Sequence, residues 1–128
     1  MPDSLLISIV DDDQFVRESI RRFMRSLGYS VEVFARGSDF LASPRLDETR
    51  CLIADINMPA MTGIELHKRL TDAGHAIPTI LITAFPDGVA RAQALKDGVL
   101  CYLAKPFDND ELVRCVRNAL EPKRPSRP

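Results

Sequence analysis

Apolar residues alternate between two spacings along this chain. Leu5 to Val10 is a continuous apolar run with one serine, ended by three aspartates. Its length and its Ile/Val content predict a strand buried on both faces. Val16, Ile20, Phe23 and Leu27 then recur at helical spacing among Arg17, Glu18, Arg21, Arg22 and Arg25. That is one apolar stripe on a charged helix, stopped by Gly28. Tyr29 to Ala35 predicts a second strand, and Ser38 to Ser43 a short helix closed by Pro44.

The rhythm repeats three times. Cys51–Ala54 predicts a strand ending at Asp55, and Ile64–Ala73 a helix with Leu66 and Leu70 one turn apart. Pro78–Ile82 predicts a strand ending at Thr83, and Asp87–Lys96 an Ala-rich helix stopped by Asp97-Gly98. Val99–Ala104 predicts a strand ending at Lys105-Pro106. Asp108 caps a last helix whose stripe is Leu112, Val116 and Ala119/Leu120. Five strands alternating with five helices predict an α/β fold, a doubly wound parallel sheet with right-handed crossovers and helices on both faces. Residues 1–120 form one domain. Residues 121–128, rich in Pro and Arg, read as a disordered tail.

Composition narrows the function. The 128 residues carry a formal net charge of −1, which argues against direct nucleic-acid binding across the surface. No apolar run approaches the ~18 residues that span a bilayer, and Met1-Pro2-Asp3-Ser4 has no basic leader region. Cys51, Cys101 and Cys115 lack metal-ligand or Cys-x-x-Cys spacing and read as packing thiols of a cytoplasmic protein. His67 and His75 read as solvent-facing, and Gly63, Gly74 and Gly98 as turn or cap residues.

The polar residues at the strand ends carry the chemistry. In an open α/β sheet, ligands bind outside the carboxyl ends of the strands. Here those ends offer Asp11-Asp12-Asp13, Asp55, Thr83 and Lys105. Asp13 reads as a helix cap. Two carboxylates ~5 Å apart repel by about 3 kcal/mol at an effective dielectric of ~20. A hard divalent cation such as Mg²⁺ offsets that repulsion with oxygen ligands. Beside it, one carboxylate can accept a phosphoryl group, with Lys105 and Thr83 stabilising the transferred charge.

From Leu5 to about Leu120 the chain resembles the receiver domain of two-component response regulators, the CheY-like family. The resemblance lies in Ile9-Val10-Asp11-Asp12-Asp13, Ala54-Asp55-Ile56-Asn57-Met58-Pro59 with Gly63, Thr83-Ala84, and Tyr102-Leu103-Ala104-Lys105-Pro106-Phe107. The segments 82–85 and 103–108 resemble most the nitrogen-fixation-regulator (FixJ) type. The resemblance implies a flavodoxin-like strand order 2-1-3-4-5 and phosphorylation of Asp55 by a sensor histidine kinase or phosphotransfer protein. It implies Mg²⁺ held by Asp12, Asp55 and the carbonyl of Asn57, with Asp11 acting through a water. It assigns Thr83, Lys105 and Tyr102 to phosphoryl binding and switching, and Asn57 and Phe85 to rate tuning. It implies a cis Lys105-Pro106 bond.

On that resemblance the domain is a phospho-accepting signalling module, not an enzyme acting on other molecules. It would signal to an unknown protein target through the surface of the fourth helix, fifth strand and fifth helix, which is also a plausible homodimer surface. The start at Met1 and the Pro/Arg-rich tail favour the expectation of a single-domain regulator over an excised piece. The alternative is a Mg²⁺-dependent phosphatase of haloacid-dehalogenase type with Asp11 as nucleophile. The later acidic pair of such enzymes is missing here. A flavodoxin-type flavin carrier would need a Ser/Thr-rich phosphate loop after the first strand, where this chain has acidic residues, and a degenerate receiver is disfavoured by the full residue set.

Overall fold

Five short apolar segments pair side by side because each presents side chains to both faces. The computed structural model describes residues 4–121; residues 122–128 of the expected tail lie outside the described residues. The elements are β1 (Leu6–Val10), α1 (Gln14–Ser26), β2 (Ser30–Phe34), α2 (Gly37–Leu41), β3 (Thr49–Asp55), α3 (Gly63–Asp72), β4 (Thr79–Thr83), α4 (Gly88–Lys96), β5 (Cys101–Ala104) and α5 (Asn109–Leu120). A 3-10 turn, Leu46–Glu48, precedes β3 and was not expected. The strand order is β2-β1-β3-β4-β5, all parallel, as the resemblance implied.

Alternation along each strand divides the core in two. Ile7, Ile9, Ile53, Ile80 and Ile82 meet Ile20 and Met24 of α1 and Leu112 and Val116 of α5. Val10, Leu52, Ala54 and Leu81 meet Phe40 of α2, Leu66 and Leu70 of α3 and Ala94 of α4. Each fully buried aliphatic side chain of this kind contributes about 1.5–3 kcal/mol. The anchorage of the helices is uneven. Ala94 is the one buried residue of α4, whereas α3 buries Leu66, His67 and Leu70 as well as Gly63.

The caps set where the helices begin. The Asp13 carboxylate accepts the N–H groups of Phe15 and Val16 at 2.8 and 3.3 Å, a cap worth about 1 kcal/mol. Thr62 and Glu65 form a reciprocal capping box at the start of α3. Glu111 accepts the N–H of Asp108 at 3.2 Å at the start of α5. Cys51 and Cys115 are buried and Cys101 half-buried. Burial pushes the Cys101 thiol up to about 12, so it stays protonated near neutral pH and packs as an apolar group.

The two histidines differ from expectation. His67 is only 9% exposed. It lies on a flank of α3 that lines a groove with Ala94, Asp97 and Val99. His75 is partly buried, with Nδ1 3.3 Å from an Asp47 carboxylate oxygen. Burial lowers the His67 pKa below its ordinary 6.5, with Asp97 pulling partly back. The unfolded chain therefore takes up this proton first as pH falls. The His67 contribution to stability is therefore flat above pH 6.5 and declines below it until the folded-state value is passed. We expect His67→Gln to flatten that decline, measured as the urea midpoint at pH 7.5 and 5.5. An identical decline in the variant removes His67 as its source.

Candidate functional site

The carboxyl ends of β1, β3, β4 and β5 lie along one edge of the sheet, and the polar residues that follow them converge there. Asp11 follows β1, Asp55 ends β3, Thr83 ends β4, and Lys105 follows β5. The Asp11 and Asp55 side chains are buried, and Asp12 is exposed at the rim. These three aspartates each place a carboxylate oxygen within 4.8 Å of the others. Lys105 Nζ stands 3.1 Å from Asp11 Oδ2 and 3.6 Å from Asp55 Oδ2. One ammonium thus faces three carboxylates. An all-oxygen donor set with that excess of negative charge suits a hard divalent cation.

Main-chain donors hold the acids in place. Asp11 Oδ1 accepts the N–H of Asp13 at 2.9 Å, and Asp55 Oδ1 accepts that of Asn57 at 3.1 Å. Burial raises the Asp11 pKa; the Asp13 N–H opposes this, Asp55 adds to it, and Lys105 opposes it. Arg17 donates from Nη1 to the main-chain oxygen of Asp11 at 2.8 Å. By sequence alone Arg17 belongs to the charged face of the first helix. The Asp-to-Arg spacing of six residues carries no signal by itself.

On the other side of the pocket, the buried Thr83 hydroxyl donates to Asn57 Oδ1 at 2.7 Å and accepts the N–H of Phe85 at 3.0 Å. Tyr102 is half-buried, and its hydroxyl accepts the N–H of Asp87, the cap of α4, at 3.3 Å. Phe85 itself is exposed. The Lys105-Pro106 peptide bond is cis. Gly63 departs from its expected role as a plain turn residue. A Cβ there would lie 2.6 Å from the Asp55 main-chain oxygen, so its hydrogen is what lets α3 start against the end of β3.

The family model described as the response regulator receiver domain matches residues 7–117. The chain belongs to the receiver-domain family. It is 37% identical over 116 residues to response regulator protein TodT of Pseudomonas putida, covering 91% of this chain and 51% of that one. It is 33% identical over 120 residues to the transcriptional regulatory protein FixJ of Azorhizobium caulinodans, covering 94% and 57%. Among solved structures, FixJ-N superposes with a TM-score of 0.81 at 31% identity, covering 94% of this chain and 95% of that one. The response regulator StyR gives 0.83 at 40% identity, covering 90% and 58%.

The FixJ-type likeness therefore holds, and the phosphatase alternative built on Asp11 is not favoured. Receiver domains are signalling modules of two-component systems, where they work with histidine kinases, and their acidic pockets bind Mg²⁺. The chain spans about half the length of the curated relatives it matches. No helix among the described residues is long and apolar enough to cross a membrane.

Proposed function

We propose that this receiver accepts a phosphoryl group on Asp55 from a sensor histidine kinase or phosphotransfer protein and passes the signal to a protein partner. The observation that carries this reading is the meeting of Asp11, Asp12, Asp55, Thr83 and Lys105 at one sheet edge.

A carboxylate oxygen of Asp55 attacks the phosphorus of the donor phosphohistidine. A P–O bond forms, the P–N bond breaks, and the departing imidazole takes up a proton. Asp12, Asp55 and the main-chain oxygen of Asn57 would hold Mg²⁺, with Asp11 behind a water; bound there, the ion neutralises phosphoryl oxygens. Lys105, already between Asp11 and Asp55, pairs with the charge that arrives. That charge is roughly −1.5 to −2 with three acceptor oxygens. Thr83 turns its hydroxyl towards one of them, and Tyr102 moves into the space beneath the β4–α4 connection. The α4–β5–α5 surface then changes its affinity for a partner or for a second copy. Such coupling is typically about 1–3 kcal/mol, or roughly 5- to 150-fold. In this reading the domain does not itself bind nucleic acid, and it works in the cytoplasm.

The direct test is incubation with acetyl phosphate and Mg²⁺ followed by intact mass. One added phosphoryl group is expected, with none when the metal is chelated. A mass that never changes with any phosphodonor sinks the reading.

Phe85 stands two residues beyond Thr83 and is 73% exposed, so a charge there costs little folding energy. An apolar ring at the pocket mouth hinders the water that hydrolyses the acyl phosphate. Phe85→Glu is expected to shorten the phosphoryl lifetime severalfold, followed as loss of the mass adduct after donor removal. An unchanged lifetime rejects this role for Phe85.

A further inference from the structure

We propose that Arg17 is a positioning residue for the divalent cation: it fixes the peptide that carries Asp12 and so presets Asp12 as a metal ligand. The inference rests on the metal site of the phospho-acceptor reading above. It names a residue outside the acidic cluster on which the cluster depends.

Of the three clustered carboxylates, two are held and one is not. Asp11 Oδ1 accepts the Asp13 N–H at 2.9 Å, and its Oδ2 lies 3.1 Å from Lys105 Nζ. Asp55 Oδ1 accepts the Asn57 N–H at 3.1 Å, and its Oδ2 lies 3.6 Å from the same ammonium. Asp12 is exposed, and among the described residues no hydrogen bond or ion pair reaches its carboxylate. One of its oxygens nevertheless lies within 4.8 Å of the other two acids. The place of that side chain is therefore set by the main chain that carries it.

Arg17 holds that main chain. Its Nη1 donates to the main-chain oxygen of Asp11 at 2.8 Å, the one donor to that oxygen among the described residues. The oxygen belongs to the peptide joining Asp11 to Asp12, so the bond fixes the plane from which Asp12 departs. The Asp13 N–H grips only the side chain of Asp11 and leaves this plane to Arg17. Helix α1 brings the guanidinium there: the Arg17 N–H donates to the Asp13 main-chain oxygen at 3.0 Å, in the turn that the Asp13 carboxylate caps. Arg17 makes no ion pair among the described residues, so no carboxylate competes for this charge-assisted bond.

The two influences of Arg17 on a bound cation have opposite signs. Its charge repels a second cation, whereas its hydrogen bond prepares a ligand for one. At ~0.15 M salt the Debye length is about 8 Å, which screens the charge of a partly exposed side chain. The hydrogen bond acts on the ligand itself, which then need not be ordered when the metal arrives. Partners that orient a metal's ligands are worth roughly 10- to 100-fold in affinity. Positioning therefore outweighs repulsion, and loss of Arg17 weakens Mg²⁺ binding although it removes a positive charge.

The test is calorimetric titration of the unphosphorylated full chain with MgCl₂ at ~0.15 M salt, for the wild type, Arg17→Met and Arg21→Met. Methionine keeps a long unbranched stem and good helix propensity. Arg17→Met is expected to weaken Mg²⁺ binding roughly tenfold. Arg21→Met removes the same charge one turn along α1, from a side chain paired with Glu18 at 3.1 Å, and is expected not to weaken it. An Arg17→Met Kd equal to or below that of the wild type, or an equal weakening in both variants, overturns the inference. A second readout needs no metal. Nitrogen-15 relaxation should show the wild-type Asp12 amide as rigid as those of β1, with an order parameter of roughly 0.85, and looser in Arg17→Met. A wild-type Asp12 amide looser than those of β1, or one that Arg17→Met leaves unchanged, overturns the hold; the wild-type measure stands even where a variant fails to fold. A wild type that binds no Mg²⁺ overturns the metal site and with it the claim about affinity. The relaxation data separate that failure from a missing hold on Asp12.

Discussion

Asp55→Asn, incubated with acetyl phosphate and Mg²⁺, is expected to keep its unmodified mass while unfolding at a higher urea concentration than the wild type. The carboxylate supplies the lone pair that attacks phosphorus, and a carboxamide is a far weaker nucleophile. No neighbour is placed to substitute for it. Asp11 is fully buried and held by Lys105 and the Asp13 N–H, and Asp12 stands at the rim on the β1–α1 loop. Loss of uptake should therefore be complete. The stability change has the opposite sign because the substitution removes a charge from a crowded acidic cluster. Two carboxylates ~5 Å apart cost about 3 kcal/mol at an effective dielectric of ~20. Asp55 lies within 4.8 Å of both Asp11 and Asp12, so two such repulsions are relieved, about 6–7 kcal/mol together. The pairing lost with Lys105 at 3.6 Å is about 4–5 kcal/mol on the same scale, which leaves a net gain of about 1–2 kcal/mol. The opposed signs separate a silenced protein from an unfolded one. An adduct retained in Asp55→Asn moves the acceptor elsewhere.

Gly63→Ala should damage both folding and chemistry although residue 63 carries no functional group. The added Cβ would meet three main-chain atoms: Asp55 O at 2.6 Å, Asp55 C at 3.0 Å and Ile56 Cα at 3.2 Å. None is the end of a flexible side chain. Either α3 withdraws from the end of β3, or Asp55 leaves its place beside Lys105. Overpacking of this kind costs up to about 3 kcal/mol, against at most ~1 kcal/mol from alanine's helix propensity. A net loss of about 2 kcal/mol in urea unfolding is expected. Phosphoryl uptake should slow by roughly tenfold or more, because misplacement by ~1 Å can cost a hundredfold. Gly88→Ala is the control. It also substitutes the first residue of a helix, but its Cβ meets nothing within 4 Å. Equal effects at the two positions reject the close-approach argument.

The elements and the residues at their ends were legible because both follow from local pattern. Apolar runs marked the strands, 3.6-residue stripes marked the helices, and the acids, Thr83 and Lys105 stood at the strand ends. Periodicity alone does not order the strands; the order 2-1-3-4-5 came from the resemblance. The readings that failed depend on contacts between distant segments. His67 sits on a polar flank by helical spacing, yet that flank lines a groove with Ala94, Asp97 and Val99. Gly63 reads as a turn glycine until β3 is known to end against it. The Asn57–Thr83 hydrogen bond spans 26 residues and leaves no trace in either local sequence. The 3-10 turn at Leu46–Glu48 is too short to show a period. Thr62-x-x-Glu65, by contrast, is a capping-box signature that the sequence did display.

The light seating of α4 bears on how far a change at Asp55 can travel. Shifting a helix whose sole interior side chain is the methyl group of Ala94 uncovers very little apolar surface. The same shift in α3 would expose two leucines to water. Excursions of α4 are therefore the cheapest rearrangement beside the pocket. Its amides should exchange with deuterium sooner than those of α3, before any phosphoryl group arrives. The fold keeps its most easily displaced segment next to the residue that receives the signal.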